Sequence, residues 1–184
     1  MNLDELYDSI LEDEGAALLR TAAVYERDPD RREDLFQEIC LALWRALPRF
    51  EARSSLRTFV FRIAHNRGLT WRWRARRTAA APLEEAGDPR DPAPGPEASA
   101  LAGQRNVRLR RAVGRLPLGH RQVIVLTLEG MSHAEIGEVL GLTENNVAVR
   151  LTRARARLRD LLGDGGGGCP LPPQAPARGK DAVG

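Results

Sequence analysis

The chain has 184 residues, 42% hydrophobic and 29% charged, and its 28 basic against 25 acidic side chains leave a formal charge of +3. That balance belongs to a folded soluble protein and excludes wholesale disorder, a collagen-like repeat and a disulfide scaffold. The two cysteines, Cys40 and Cys169, lie far apart and offer no Cys-x-x-Cys zinc site; no run approaches the ~20 apolar residues that span a bilayer, and the acidic start at Asp4 and Glu5 is unlike a signal peptide, so a cytoplasmic protein is expected.

In chain order the charge falls into blocks. Residues 1–51 hold 6 Arg and 13 acids. Within them Leu3, Leu6, Tyr7, Ile10 and Leu11, then Leu18, Leu19 and Ala22, keep a helical period, and Leu35, Ile39, Leu43 and Leu47 with Phe36, Ala42 and Ala46 repeat it. Residues 52–77 hold 8 Arg and no acid. A third helix is predicted there, capped by Ser54 or Ser55 and turning Leu56, Val60 and Ile63 inward. Its arginines, Arg53, Arg57, Arg62, Arg67, Arg72, Arg74, Arg76 and Arg77, interleave with Phe59, Phe61, Trp71 and Trp73, and Phe50 stands just before. Arginines that follow a phosphate chain and aromatics that stack on unpaired bases, at about 1–3 kcal/mol each, would make a single-strand surface. The rival reading puts Phe59 and Phe61 in the core and the arginines on a solvated face.

Residues 78–104 carry 1 Arg, 5 acids and Pro82, Pro89, Pro92, Pro94 and Pro96 without apolar periodicity, which predicts an extended linker between two domains. Residues 105–162 return to basic, with 11 Arg and 5 acids. The run Val123, Ile124, Val125, Leu126 and Leu128 could alone be a buried strand; its helical neighbours favour helix. After Leu162 the Gly- and Pro-rich residues 163–184 cannot bury enough apolar surface to fold, and a disordered tail is expected.

The most specific pattern lies at 132–162. Ser132 and Glu135 form a capping box, Gly141 stops the helix, and Thr143 caps the next one. Val147, Leu151, Ala154, Leu158 and Leu161 step by 4, 3, 4 and 3 residues, which predicts one buried stripe, and most of the arginines fall elsewhere on the cylinder. Gly137, Gly141 and Val147 suit a helix-turn-helix, whose second helix would present Glu144, Asn145 and Asn146 to a major groove with Arg150 and Arg153 one and two turns on. Asn pairs bidentately with adenine and Glu accepts from cytosine N4.

Together these features resemble the extracytoplasmic-function sigma factors of the sigma-70 family of bacterial RNA polymerase over roughly residues 5–162. The carriers are Asp34, Leu35, Phe36, Gln37, Glu38 with Leu43, Trp44, Arg45, Ala46, Leu47 and Phe50; Ser54, Ser55, Leu56, Arg57, Thr58, Phe59 with Ile63, Ala64 and Asn66; and Leu116, Pro117 leading to Ala134, Glu135, Ile136, Gly137, Leu140, Gly141, Val147, Arg150, Leu151, Arg153, Ala154, Arg155 and Leu158. The resemblance implies an all-α chain: sigma domain two at 1–77, a flexible Pro-rich linker at 78–104, helix-turn-helix sigma domain four at 105–162 and the tail at 163–184.

It also implies partners. Asp34, Gln37, Glu38, Leu41 and Arg45 would dock on the beta-prime clamp helices of core polymerase, which also presents its beta subunit. Phe50, Arg53, Ser54, Ser55, Arg57, Thr58, Phe59, Asn66, Arg67 and Trp71 would hold the melted minus-ten strand. Thr143, Glu144, Asn145, Asn146, Arg150 and Arg153 would read the minus-thirty-five duplex. An anti-sigma factor is expected of the family; a cofactor, metal or small-molecule substrate is not. Asn146 replaces a frequent Thr, Ala148 a frequent Lys and Thr70 a common Asp, so promoter preference does not transfer from relatives. A stand-alone helix-turn-helix regulator is the alternative, and it would need neither docking helix nor linker. His65, His120 and His133 lack metalloprotease spacing, and no phosphate loop or nucleophile elbow occurs, so an enzyme is not expected.

Overall fold

The computed structural model describes residues 2–78 and 100–163, with side chains from Val107 onward in the second span. Helix α1 covers Leu3–Tyr25. The Asn2 amide donates to the Glu5 carboxylate at 2.9 Å, and Asp4 and Glu5 set negative charge at the positive end of the helix. Helix α2 covers Pro29–Ala46: the Asp28 carboxylate accepts from the Arg31 N–H at 3.0 Å, and Pro29 fills the first turn, where no intrahelical donor is lost. A 3-10 turn, Leu47–Arg49, follows. Helix α3 covers Leu56–Thr78 and starts at the second of the two candidate caps, Ser55, whose Oγ accepts from the Thr58 N–H at 3.0 Å.

These helices close around Leu18 and Ala22 of α1, Leu35, Ile39 and Leu43 of α2 and Val60 and Ala64 of α3, all buried. Full burial of a leucine-sized side chain contributes about 1.5–3 kcal/mol. Leu19, predicted inward, is exposed, because Leu18 and Ala22 take the buried line and Leu19 stands a quarter-turn away. The Tyr25 ring lies on Gly68, where a Cβ would fall 2.3 Å from it. Glycine lets α1 and α3 meet there.

The second group comprises α4 (Ala100–Gly114), α5 (Leu118–Leu128), α6 (His133–Leu140) and α7 (Glu144–Leu162). The 123–128 run is therefore helical. Helix α3 reaches Thr78 and α4 begins at Ala100, so the ends of the expected 78–104 linker are helical; Ala100, Leu101, Ala102 and Gln104 are good helix formers without proline among them. The proline-bearing stretch 79–99 and the tail from 164 lie outside the described residues.

The two groups share their cores. Ala17 and Phe61 pack with the second group's buried residues, and Leu118 and Val125 pack against the first group's. Helix α3 lies against α6, and α1 against α5. Polar contacts cross as well: Arg20 holds the Glu129 carboxylate bidentately at 2.6 and 2.7 Å, Arg57 Nη2 donates to the Glu129 carbonyl at 2.7 Å, and Arg27 donates to the Gly114 carbonyl. The Gln122 amide donates to the Tyr25 hydroxyl at 3.3 Å, and that hydroxyl is hydrogen-bonded to His65 Nδ1 at 2.5 Å. Burial holds the Tyr25 phenol above its ordinary range and the His65 imidazole below its own, so both stay neutral in this chain of hydrogen bonds.

Candidate nucleic-acid interface

The α6–α7 pair is built by its caps. The Ser132 N–H donates to the Glu135 carboxylate at 2.8 Å, and the Glu135 N–H returns a bond to Ser132 Oγ at 3.3 Å. Gly141 ends α6 in the left-handed region at φ +66°, which costs other residues more, and the Leu142 N–H closes on the Gly137 carbonyl at 2.9 Å. A Cβ at Gly137 would fall 2.6 Å from the Leu142 carbonyl oxygen, so the turn folds onto bare backbone. Thr143 Oγ1 then accepts from the Asn146 N–H at 3.3 Å and starts α7.

Val147, Leu151, Ala154 and Leu158 are buried, as the spacing predicts. Glu144, Asn145, Asn146 and Arg153 are exposed. At 100° per residue, Asn145, Val149, Thr152 and Arg153 fall opposite the buried stripe. Arg150 is half-buried on the flank, its guanidinium beside Gly119 at the start of α5. His120 Nδ1 is buried there without a partner among the described residues. Burial first, then Arg150, Arg153 and Arg157, hold His120 below its ordinary value, which marks this edge as strongly positive.

The arginine–aromatic block divides more sharply than its sequence suggests. Arg53 and Asn66 are exposed, the former ion-paired to Glu51 at 2.6 Å. Phe50 and Phe59 pack with tilted rings, centroids 4.9 Å apart, beside the loop, Arg62 lies over Phe59, and Ser54 is half-buried. Thr58 is buried and accepts from the Ser55 hydroxyl at 2.8 Å, so in this conformation both residues shape the loop. Phe61 is core, as the rival reading has it. Arg57 binds Glu14 at 2.6 Å and faces the second helical group. Trp71 Nε1 donates to Glu26 at 2.9 Å under Arg31, whereas Trp73 is 57% exposed beneath Arg77.

One face of α2 carries Asp34, Gln37, Glu38, Leu41 and Arg45. Asp34, Gln37 and Arg45 are exposed, Leu41 is 48% exposed, and Glu38 pairs with Arg67 and Arg74 of α3 at 3.7 and 3.4 Å. Trp44 adds an exposed indole braced edge-on by Tyr7 at 5.2 Å. Two large apolar side chains left in solvent on a charged face mark a contact surface.

Comparison with known proteins gives the family of the chain. The family model for Sigma-70 region 2 matches residues 10–78, and that for Sigma-70, region 4 matches 106–158. RNA polymerase sigma factor CnrH of Cupriavidus metallidurans is 35% identical over 157 residues, covering 80% of this chain and 82% of its own. ECF RNA polymerase sigma factor ShbA of Streptomyces griseus subsp. griseus is 34% identical over 134 residues, 70% of each chain. The chain belongs to the extracytoplasmic-function sigma factors of the sigma-70 family.

This sigma factor is therefore a non-enzymatic protein that directs transcription initiation by RNA polymerase. The structure of CnrH in complex with the cytosolic domain of CnrY matches with a TM-score of 0.61 at 28% identity, over 86% of this chain and 88% of that one. The co-crystal structure of sigma factor RpoE with the anti-sigma factor NepR from Bartonella quintana, at 22% identity and a TM-score of 0.62, shares the fold over 84% of this chain and 96% of that one. Trp44 and Val149 escaped the sequence-derived sites. For Trp44 the signal was its place one turn from Leu41 on the exposed face of α2; for Val149 it was an apolar residue off the buried stripe of α7.

Proposed function

We propose that this sigma factor docks on the beta-prime clamp helices of core polymerase through Asp34, Gln37, Glu38, Leu41, Arg45 and Trp44, reads a minus-thirty-five duplex with α7 and holds melted minus-ten DNA along the loop and helix of residues 50–74. The observation that carries the reading is the first turn of α7, where Glu144, Asn145 and Asn146 stand exposed above a glycine-locked turn. Asn145 reads one adenine edge bidentately, Glu144 and Asn146 meet neighbouring bases, and Val149 offers an apolar contact to a thymine methyl. Thr143, Arg150 and Arg153 contact phosphates and fix the register.

No covalent step is needed. Unstacking a base costs a few kcal/mol. Stacking returns about 1–3 kcal/mol per base, with Trp73 as the accessible indole and Phe50, Phe59 and Trp71 shaping the platform. Arg53, Arg57, Asn66 and Arg67 follow the strand, and Ser54, Ser55 and Thr58 set the loop that receives a flipped base. The protein acts in the cytoplasm on core polymerase, including its beta subunit, and an anti-sigma factor covers these surfaces when silent, as CnrY and NepR accompany CnrH and RpoE.

The test is initiation by purified core polymerase on a genomic promoter library with and without this protein, read from transcript 5′ ends. Protein-dependent starts sharing two spaced motifs are expected. Binding to a palindromic duplex with no redirection of core polymerase would favour the stand-alone regulator.

A further inference from the structure

One flank of α7 is basic from its reading turn onward. Asn146, Arg150, Arg153 and Arg157 recur at steps of four, three and four residues, so they form a single line along the helix. The start of α5 lies against this line, because α5 and α7 pack together and Arg150 Nη1 stands 3.3 Å from the point that a Cβ on Gly119 would take. His120 is the next residue. Pro117 supplies no side-chain cap, so the first amides of α5 add the positive end of a helix dipole to the same corner.

The charged groups that act on His120 are Arg150, Arg153 and Arg157, all of one sign and all from α7; α1, α4 and α6, which also lie against α5, supply none of the three. The adjoining Arg121 is turned to the Gly114 carbonyl at the end of α4. Arg153 and Arg157 are exposed, Arg150 is half-buried, and none of them forms a salt bridge to a carboxylate among the described residues. His120 Nδ1 is buried without a partner there, so the ring meets solvent by Nε2. We infer that His120 is a phosphate ligand of region 4: with Arg150, Arg153 and Arg157 it lines a track for one DNA strand leaving the groove, and it takes up a proton from solvent when a phosphodiester arrives. The inference rests on the promoter reading for α7 and adds His120 and Arg157 to it.

The charges set the direction of the linkage. Off DNA, burial and three guanidinium groups keep the imidazole neutral. A phosphodiester laid on the arginines cancels their repulsion, and its oxygen accepts from the Nε2–H of an imidazolium, a charge-assisted bond that the neutral ring does not make. The ring is therefore neutral in the free protein and charged on DNA. Protons and duplex then promote each other's binding, and affinity rises as pH falls through the value that the ring has in the complex.

The test uses the full-length chain and a short duplex of random sequence, because phosphate contacts do not depend on the promoter. Between about pH 8 and pH 6, at constant ionic strength, the natural protein should gain up to about tenfold in affinity per pH unit over His120→Gln, which stays neutral. Its salt dependence should also steepen by up to about 0.9 in log–log slope, the value of one further phosphate contact. His65 and His133 are present in both proteins, so the difference belongs to His120. Magnetic resonance of the ring protons asks the same question without a variant: His120 should titrate at higher pH once duplex is added. Equal pH response and salt slope in the two proteins, or a ring that titrates alike with and without duplex, would overturn the proposal. A shift of the same size with inorganic phosphate alone, at the same phosphate concentration, would make the corner a free-anion site and overturn the assignment to DNA. Arg153→Ala separates this idea from the promoter reading. Weaker duplex binding there beside an inert His120→Gln leaves α7 on DNA without its histidine, and no loss in either variant takes the minus-thirty-five reading down as well.

Discussion

Gly137 has no room for a side chain, and the obstacle is backbone. A methyl group 2.6 Å from the Leu142 carbonyl cannot be relieved by a rotamer change, so α6 and α7 must part. Gly137→Ala should cost region 4 about 1–3 kcal/mol, the range of an overpacked core, and loosen duplex binding with it. A melting temperature equal to that of the natural protein would show that the turn yields freely. On the reading face the expectation differs by residue type. Asn145→Ala should weaken one promoter position by about 1–3 kcal/mol and leave other positions alone, whereas Arg153→Ala should weaken every sequence and flatten the salt dependence. Binding measured across single-base variants of the minus-thirty-five site separates them; an even loss for Asn145→Ala would remove it from base readout. The exposure of both was legible in the sequence, because they lie off the buried stripe that the 4, 3, 4, 3 spacing of α7 lays down. The burial of Thr58 was not, since a serine cap three residues upstream turns a candidate DNA contact into part of the cap.

At the scale of the helix, periodicity told most. The stripe Leu35, Ile39, Leu43 and the stripe Val147, Leu151, Ala154, Leu158 are buried because a 3.6-residue period leaves one face for the core, and any reader of the sequence can count it. Pattern alone does not say which of two adjacent leucines wins the inner line, and Leu19 lost it to Leu18. Nor does pattern rank the two tryptophans of α3. Trp71 and Trp73 are two residues apart and so lie on different sides of the helix; the sequence offers both to DNA, yet Trp71 is tied to Glu26 and covered by Arg31, while Trp73 stands in solvent. Two different losses are expected. Trp73→Ala should slow open-complex formation by the equivalent of about 1–3 kcal/mol without a change in melting temperature. Trp71→Ala should lower the melting temperature as well, since it strips a hydrogen bond from Glu26. Equal effects on folding from both substitutions would return Trp73 to the core.

At the scale of the whole molecule the charge blocks predicted two basic working surfaces and gave no hint that they meet. Whether Arg57 points to DNA or to region 4 depends on long-range packing between residues more than seventy positions apart, to which local periodicity is blind. The same packing builds Tyr25 of α1, His65 of α3 and Gln122 of α5 into one buried network, and this makes stability depend on pH at both ends. Below the ordinary imidazole value of 6.5 the unfolded chain takes up a proton at His65 that the folded chain refuses until lower pH, so stability is full above 6.5 and is lost as pH falls. His120 is held down too and adds a loss of the same sign. The Tyr25 phenol, raised above its ordinary 10.0, works in the opposite direction: past that value the unfolded chain ionises while the folded chain keeps its proton, and stability is lost as pH rises. Each group limits the slope to about 1.4 kcal/mol per pH unit. Urea midpoints at constant ionic strength should therefore fall away on both sides of a neutral plateau. In His65→Leu the decline between about pH 5 and the plateau should shrink to the share of His120, because carboxylates titrate mainly below that window. An acid decline as steep in the variant as in the natural protein would mean that His65 carries its proton in the folded chain, and the Tyr25 hydroxyl would then have to be an acceptor from both neighbours.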